Sequence, residues 1–310
     1  MSALICGSFA YDTIMVFHDR FKNHIIPSQV HILSVSFLVP DLRREFGGCA
    51  GNIAYNLHLL GGKALPMGTV GNDFGPYTDW MDRCGINRTH VKLIDKSYTA
   101  QAFITTDLDD NQITAFHPGA MNFAHANRVS DAQGVSIGII APDGRDGMVE
   151  HATQFHAAGI PFIFDPGQGM PMFSGDDLMT FMKQATWAAF NDYELQLMQQ
   201  CTGKSLHELA KLVDALIVTH GVKGSSIYAD GKHLEIPVAK VDKVLDPTGC
   251  GDAYRAGLLY GLMNSLDWGT TGRVAALMGA LKVEQAGTQN HSFTRDEFDA
   301  RFKESFGYAL

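Results

Sequence analysis

The sequence predicts an α/β protein built on a doubly wound, mostly parallel sheet flanked by helices, with a small β-sheet lid. Short apolar runs alternate with amphipathic stretches through most of the chain, the pattern of strands joined by crossover helices. Two further segments, 25–39 and 99–117, carry strand-like sequence with no helix signal between strands. A parallel core has no place for them, so they predict a separate antiparallel sheet.

Taken in order, ALICGSF opens the chain as a buried strand, and 50–60 and 74–84 follow as helices. IIPSQVHILSVSFLV (25–39) is rich in β-formers with partial alternation. TAQAFITTDLDDNQITAFH (99–117) reads as a hairpin about the turn-like DLDDN. These two predict a lid formed by about 13–40 and 98–117; the alternative is an ordinary β-extension at a sheet edge or dimer contact. IGIIAP, PFIFDP, WAAFN and ALIVT continue the core sheet. Helix-like stretches at 145–158, 192–200, 204–214 and 252–264 accompany them. No linker-like tract or internal repeat divides the chain, so 1–310 reads as one domain.

The composition narrows the function. With 45% hydrophobic and 18% charged residues the chain can bury a large core. A net charge of −9 argues against a nucleic-acid or anionic-membrane partner. No apolar run reaches the length of a membrane span, and MSALICGSF reads as a strand and not as a signal peptide. The five cysteines contain no C-x-x-C pair, which predicts a reduced, cytoplasmic protein without zinc or a disulfide framework. The N-x-[ST] matches at Asn87 and Asn290 then carry no glycosylation.

Polar and glycine-rich groups collect at strand ends, where open α/β sheets bind ligands. Asp12 follows the first strand, GGCAGN (47–52) precedes a helix, Asn191 ends WAAFN, and THG (219–221) ends ALIVT. Two tempting motifs fail. TGKS (202–205) has Met198 where a Walker A loop needs its first glycine, and no G-x-G-x-x-G opens the chain. His151 and His156 are badly spaced for a metal and read as core or solvated histidines.

The most telling stretch is DPTGCGDAYRAG (246–257). If Gly249, Cys250 and Gly251 turn into a helix, their N–H groups form an anion hole at its positive end. Asp252 beside it could then take a proton from an attacking hydroxyl. The alternative is an aspartate N-cap after a glycine turn. Likewise Asn191 and Glu194 of NDYE either flank a hydrated magnesium or form a helix cap.

GGCAGNIAYNLHLLGG (47–62), GTVGNDFG (68–75), NDYE (191–194), THGVKGS (219–225) and DPTGCGDAYRAG occur in one order and spacing. In these motifs the chain resembles the ribokinase/PfkB family of small-molecule kinases over essentially its whole length. The resemblance implies transfer of the γ-phosphate of ATP to a primary hydroxyl, with a β-sheet lid. It assigns Asp12, Gly48 and Asn52 to sugar hydroxyls, and Asn191 and Glu194 to magnesium through water. It assigns Thr219, Gly221 and Gly224 to the nucleotide. Gly249, Cys250 and Gly251 match the anion hole, and Asp252 matches the catalytic base. It also implies a monovalent cation such as K+ near Asp246, Thr248 and Gly287. Cys250 departs from the tiny residue usual there, which a loop acting through its backbone tolerates. Arg255, one turn into the helix, either approaches phosphate or pairs at the surface, the latter slightly favoured.

The wording of the last motif and EQAGTQNHSFT (284–294) look most like bacterial adenosine and broad-specificity nucleoside kinases. Gln29, His31, Phe37, Phe103 and Phe116 of the lid are the residues available to a base, unless they only cover the lid's own core. No Lys/Arg cluster stands beside Asp12 or Asn52 in the sequence, which disfavours a phosphorylated sugar. The expectation is therefore ribonucleoside 5′-phosphorylation, with a ribokinase- or fructokinase-like sugar kinase as the alternative. The lid edges leave a monomer or a homodimer open.

Overall fold

The computed structural model describes residues 1–25, 32, 34–109 and 111–310. In chain order its strands are β1 (Ser2–Cys6), β2 (Ala10–Val16), β3 (Asp41–Gly47), β4 (Lys63–Val70), β5 (His90–Leu93), β6 (Ala100–Thr106) and β7 (Gln112–His117). β8 (Val135–Ile140), β9 (Phe162–Phe164), β10 (Trp187–Asn191), β11 (Ala215–Thr219), β12 (Ser225–Ala229) and β13 (Lys232–Ile236) complete them. The helices are α1 (Cys49–Leu59), α2 (Gly75–Cys84), α3 (Arg145–Ala157), α4 (Gly175–Gln184), α5 (Asp192–Thr202), α6 (Leu206–Ala210), α7 (Cys250–Met263), α8 (Trp268–Val283) and α9 (Arg295–Phe306).

The large sheet runs β13-β12-β11-β10-β9-β8-β1-β4-β5. It is parallel from β11 to β5, and β12 and β13 add an antiparallel edge. Period-two alternation feeds a core on each face. Ala3 and Ile5 of β1 join Ile53, Ile137, Ile217 and Leu258 on one side. Leu4 and Cys6 join Ile140, Phe164, Phe190 and Val218 on the other. Because these strands are parallel, their carboxyl ends share one rim. Asp165 and Asn191 stand there, and α7 begins near them.

The small sheet has the order β3-β2-β6-β7. It differs from the sequence reading in being mixed, since β2 pairs β6 in parallel while the outer pairs are antiparallel, and in its boundaries. Of 25–39, residues 26–31 and 33 lie outside the described ones, and 34–39 form no strand. The strand is DLRREFG, beginning at Asp41. As an edge strand with an exposed start, β3 needs no apolar alternation, and its charges suit an edge. Asp12 does follow the first strand, but in place of a loop it sits mid-way along β2, paired with Glu45 and Ala102. The helix expected over 204–214 is confined to Leu206–Ala210.

Candidate active site

The site is assembled around the start of α7. Gly249 caps the helix at φ 79°, a left-handed conformation that only glycine adopts without strain. The Cys250 N–H turns back to Pro247 O at 3.1 Å, so it is spent inside the turn. The expected trio of N–H donors is thereby reduced. The N–H groups of Gly251 and Asp252 meet no acceptor among the described residues. The space over Gly251 is open: a Cβ built there would meet nothing within 4 Å. The Cys250 thiol is held up at about 11, chiefly by burial, and so stays protonated and unreactive.

Asp252 lies in the first turn of α7 and is half-buried. Its pKa is raised to about 7, first by burial and then by Asp165, while Asn52 and Arg255 pull it down. A carboxylate tuned there can hold a proton and release it near neutrality, which suits general base chemistry. Asn52 Nδ2 donates to Asp252 Oδ2 at 2.8 Å. The Asn52 amide is fixed from behind, where its Oδ1 accepts from Gln289 Nε2 at 2.9 Å. Gln289 is itself locked by Tyr77 and by Trp80 Nε1, and Tyr77 OH donates to Gly47 O. Asn52 was expected on a sugar hydroxyl. In the structure its amide also reaches the candidate base, Asp252.

Gly48, at φ 87°, caps α1, and a Cβ there would meet Ser8 O at 2.5 Å. That close approach fixes where α1 begins, and with it Asn52. Asp12 rests against the bare backbone of Gly47. Burial lifts its pKa to about 6, with Glu45 and Asp246 adding repulsion. Among the described residues no hydrogen bond relieves it, so its carboxylate is an acceptor open to incoming donors. Gln29 and His31 lie outside the described residues.

At the far side, Asn191 and Glu194 form a reciprocal capping box at α5. Asn191 Oδ1 accepts from Glu194 N at 2.7 Å and Glu194 Oε2 from Asn191 N at 2.8 Å. Glu194 Oε2 also stands 4.0 Å from Arg255. The Glu194 pKa is raised by burial and by Asp165. Arg255 does not pair at the surface. It is buried, and its NH2 group donates to Asp165 Oδ1 at 2.9 Å. Thr219 ends β11, and Gly221 and Gly224 shape the turn after it at φ 57° and 92°.

Asp246 does not present an open cage for a monovalent cation. Its carboxylate accepts from Thr248 N and Gly287 N, both at 2.9 Å, and the buried Lys282 ammonium sits on its carbonyl at 2.7 Å. His151, on α3, is a core histidine whose Nε2 meets Asn127 O at 3.1 Å. Among the described residues no group of three or more His, Cys, Asp or Glu is placed to hold a metal. All five cysteines are free, and no described helix is long and apolar enough to cross a membrane. Sequence reasoning missed Asp165, Gln289 and Lys282. Asp165 carried a weak signal as a polar strand end in PFIFDP; the other two lie in segments whose role depends on tertiary contact.

The model of the pfkB family of carbohydrate kinases matches residues 10–295. The chain belongs to that family. Within it, a nucleoside kinase of Methanocaldococcus jannaschii is 32% identical over 273 residues, covering 87% of this chain and 89% of that one. The Burkholderia thailandensis nucleoside kinase solved with inosine is 51% identical, covers all of both chains and superposes with a TM-score of 0.92. The same enzyme solved with ADP-inosine is 53% identical, covers 99% and 97%, and gives 0.88.

Proposed function

We propose that this pfkB-family kinase transfers the γ-phosphoryl group of ATP to the 5′-hydroxyl of a ribonucleoside, with Asp252 as catalytic base. The observation that carries the reading is the Asn52–Asp252 hydrogen bond beside the open cradle over Gly251. A carboxylate with a pKa of about 7 stands next to unspent helix N–H groups. The nucleoside is favoured over a free sugar because the solved relative named above, at about half identity, is a nucleoside kinase solved both with inosine and with ADP-inosine.

In this account Asp12 accepts the ribose hydroxyls and aims the 5′-OH at Asp252. Asp252 takes the hydroxyl proton as the new P–O bond forms and the bond to the ADP oxygen breaks. The N–H groups of Gly251 and Asp252 receive the charge on the phosphoryl oxygens. Thr219, Gly221 and Gly224 border the nucleotide, and closure of the small sheet excludes water. Magnesium, when bound with ATP, neutralises phosphate charge. Glu194 and Asn191 would hold it through its waters, a donor set of hard oxygens too sparse for a closed cage, as this ion prefers.

Among the described strand residues of the small sheet, one aromatic ring lies on the side of Asp12. Asp12, Glu45, Ala102 and Phe116 lie in one cross-strand row and share a face. Phe103 pairs with Thr13 and Ala115 and lies on the opposite face. Phe37 packs on Phe17 and Phe21 at 4.8 and 5.0 Å, which places it in the sheet's own apolar cluster. Phe116 is therefore the residue proposed to contact the base.

ATP consumption across adenosine, inosine and cytidine, set against ribose, fructose and fructose phosphates, tests the assignment. Turnover with at least one nucleoside well above every sugar is expected. Turnover of ribose with none of the nucleosides would overturn it.

A further inference from the structure

The pfkB resemblance leads one to expect a bound monovalent cation beside the anion-hole loop near Asp246, and the structure places a charged side chain against Asp246. Lys282, in the last turn of α8, is fully buried. Its Nζ donates to Asp246 O at 2.7 Å and to Gln285 O at 3.2 Å, and stands 4.0 Å from Asp246 Oδ2. A buried ammonium without an anion or carbonyl oxygens would be very costly, so this oxygen set is what keeps it charged and in place. The α8 carboxyl end adds its partial negative charge.

The same point ties three segments together. The Asp246 carboxylate holds Thr248 N, on the way into the glycine turn, and Gly287 N, in the loop after α8. Asp246 N and Leu245 N both donate to Val283 O. Lys282 closes this knot by joining the Asp246 and Gln285 carbonyls. The helices α7 and α8 themselves pack closely, because a Cβ on Gly257 of α7 would lie 2.4 Å from Ala275 Cα of α8. A free cation cannot share these oxygens with an ammonium at contact distance, since like charges repel strongly in so dry a place. The residues present do not fit a mobile ion.

We infer that Lys282 is a tethered replacement for the monovalent cation, a positioning residue that holds the Asp246–Gly251 loop in its anion-binding form without potassium. The consequence is a kinase whose rate is indifferent to the identity of the monovalent salt. This consequence rests on the kinase reading above; the structural role of Lys282 does not.

The test compares the wild-type protein in potassium, sodium and tetramethylammonium chloride at equal ionic strength. Both the initial rate with the best nucleoside and the melting temperature are read. Equal rates and equal melting temperatures are expected; a several-fold activation or a clear rise in melting temperature in potassium alone would overturn the inference. In Lys282→Ala the rate in tetramethylammonium should fall by at least about tenfold, as when an anion-hole donor is lost. Ammonium, methylammonium or potassium should restore a good part of it. A full rate without any small cation, or a loss that none of them recovers, would overturn the assignment. If the variant does not fold, the wild-type comparison still decides. Melting is read without turnover, so a protein inactive on every nucleoside would undermine the kinase reading and leave Lys282 to be judged separately.

Discussion

Asn52 Nδ2 donates to Asp252 Oδ2 at 2.8 Å across 200 positions of sequence. It joins the first turn of α1 to the first turn of α7 and sets the orientation of the carboxylate that faces the open cradle. The bond also favours the charged carboxylate, opposing the burial that pushes the pKa up to about 7.

The rate should therefore rise with pH through about 7 as Asp252 loses its proton. Asn52→Leu removes the donor that lowers this pKa, so the acidic limb of the kcat profile should move to higher pH. Pre-steady-state rates across pH 5–9 check this. An unchanged limb in Asn52→Leu would remove Asn52 from the account.

Asp252 also links pH to stability. Its folded pKa lies above the ordinary aspartate value, so the proton is held more tightly in the folded state. That stabilisation is complete below about pH 4 and is lost as pH rises through about 7. Asp252→Asn has no such titration. The melting temperature of the wild type should therefore fall relative to the variant between pH 5 and pH 8, and a constant difference would contradict the raised pKa.

Phe116 and Phe103 give a test of the face assignment. Phe116→Ala should raise the nucleoside KM roughly tenfold or more, as expected for losing one base–aromatic contact. Phe103→Ala, on the other face, should leave KM near wild type. The reverse result would place the nucleoside on the wrong side of the small sheet.

Arg255 and Asp165 form a buried pair, and removing one partner leaves the other charge uncompensated. Arg255→Met should cost about 3–5 kcal/mol in urea denaturation. The double variant Arg255→Met/Asp165→Leu should recover much of the loss. Equal instability of single and double variants would show that Arg255 acts through packing alone.

The parallel core was legible because its signals are local. WAAFN and ALIVT coincide with β10 and β11, and the apolar runs are long enough to bury on both faces. β3 was misplaced because an exposed, charged edge strand has no apolar period to read. The positions of Asp252 and Gly249 could be read from one short loop, whereas Gln289 and Lys282 act through partners more than thirty residues away. Arg255 was misread for a related reason. A charged residue in a helix's second turn looks exposed until Asp165, 90 positions earlier, is seen to receive it.

The central claim is that Asp252 takes the proton from the attacking hydroxyl. Asp252→Asn keeps the shape and a hydrogen-bonding side chain while removing the base. The most direct measurement is single-turnover phosphoryl transfer in this variant, with nucleoside affinity measured by calorimetry in parallel. A fall of about 10²–10⁴ in rate with affinity essentially unchanged is predicted. Turnover close to wild type would contradict the account.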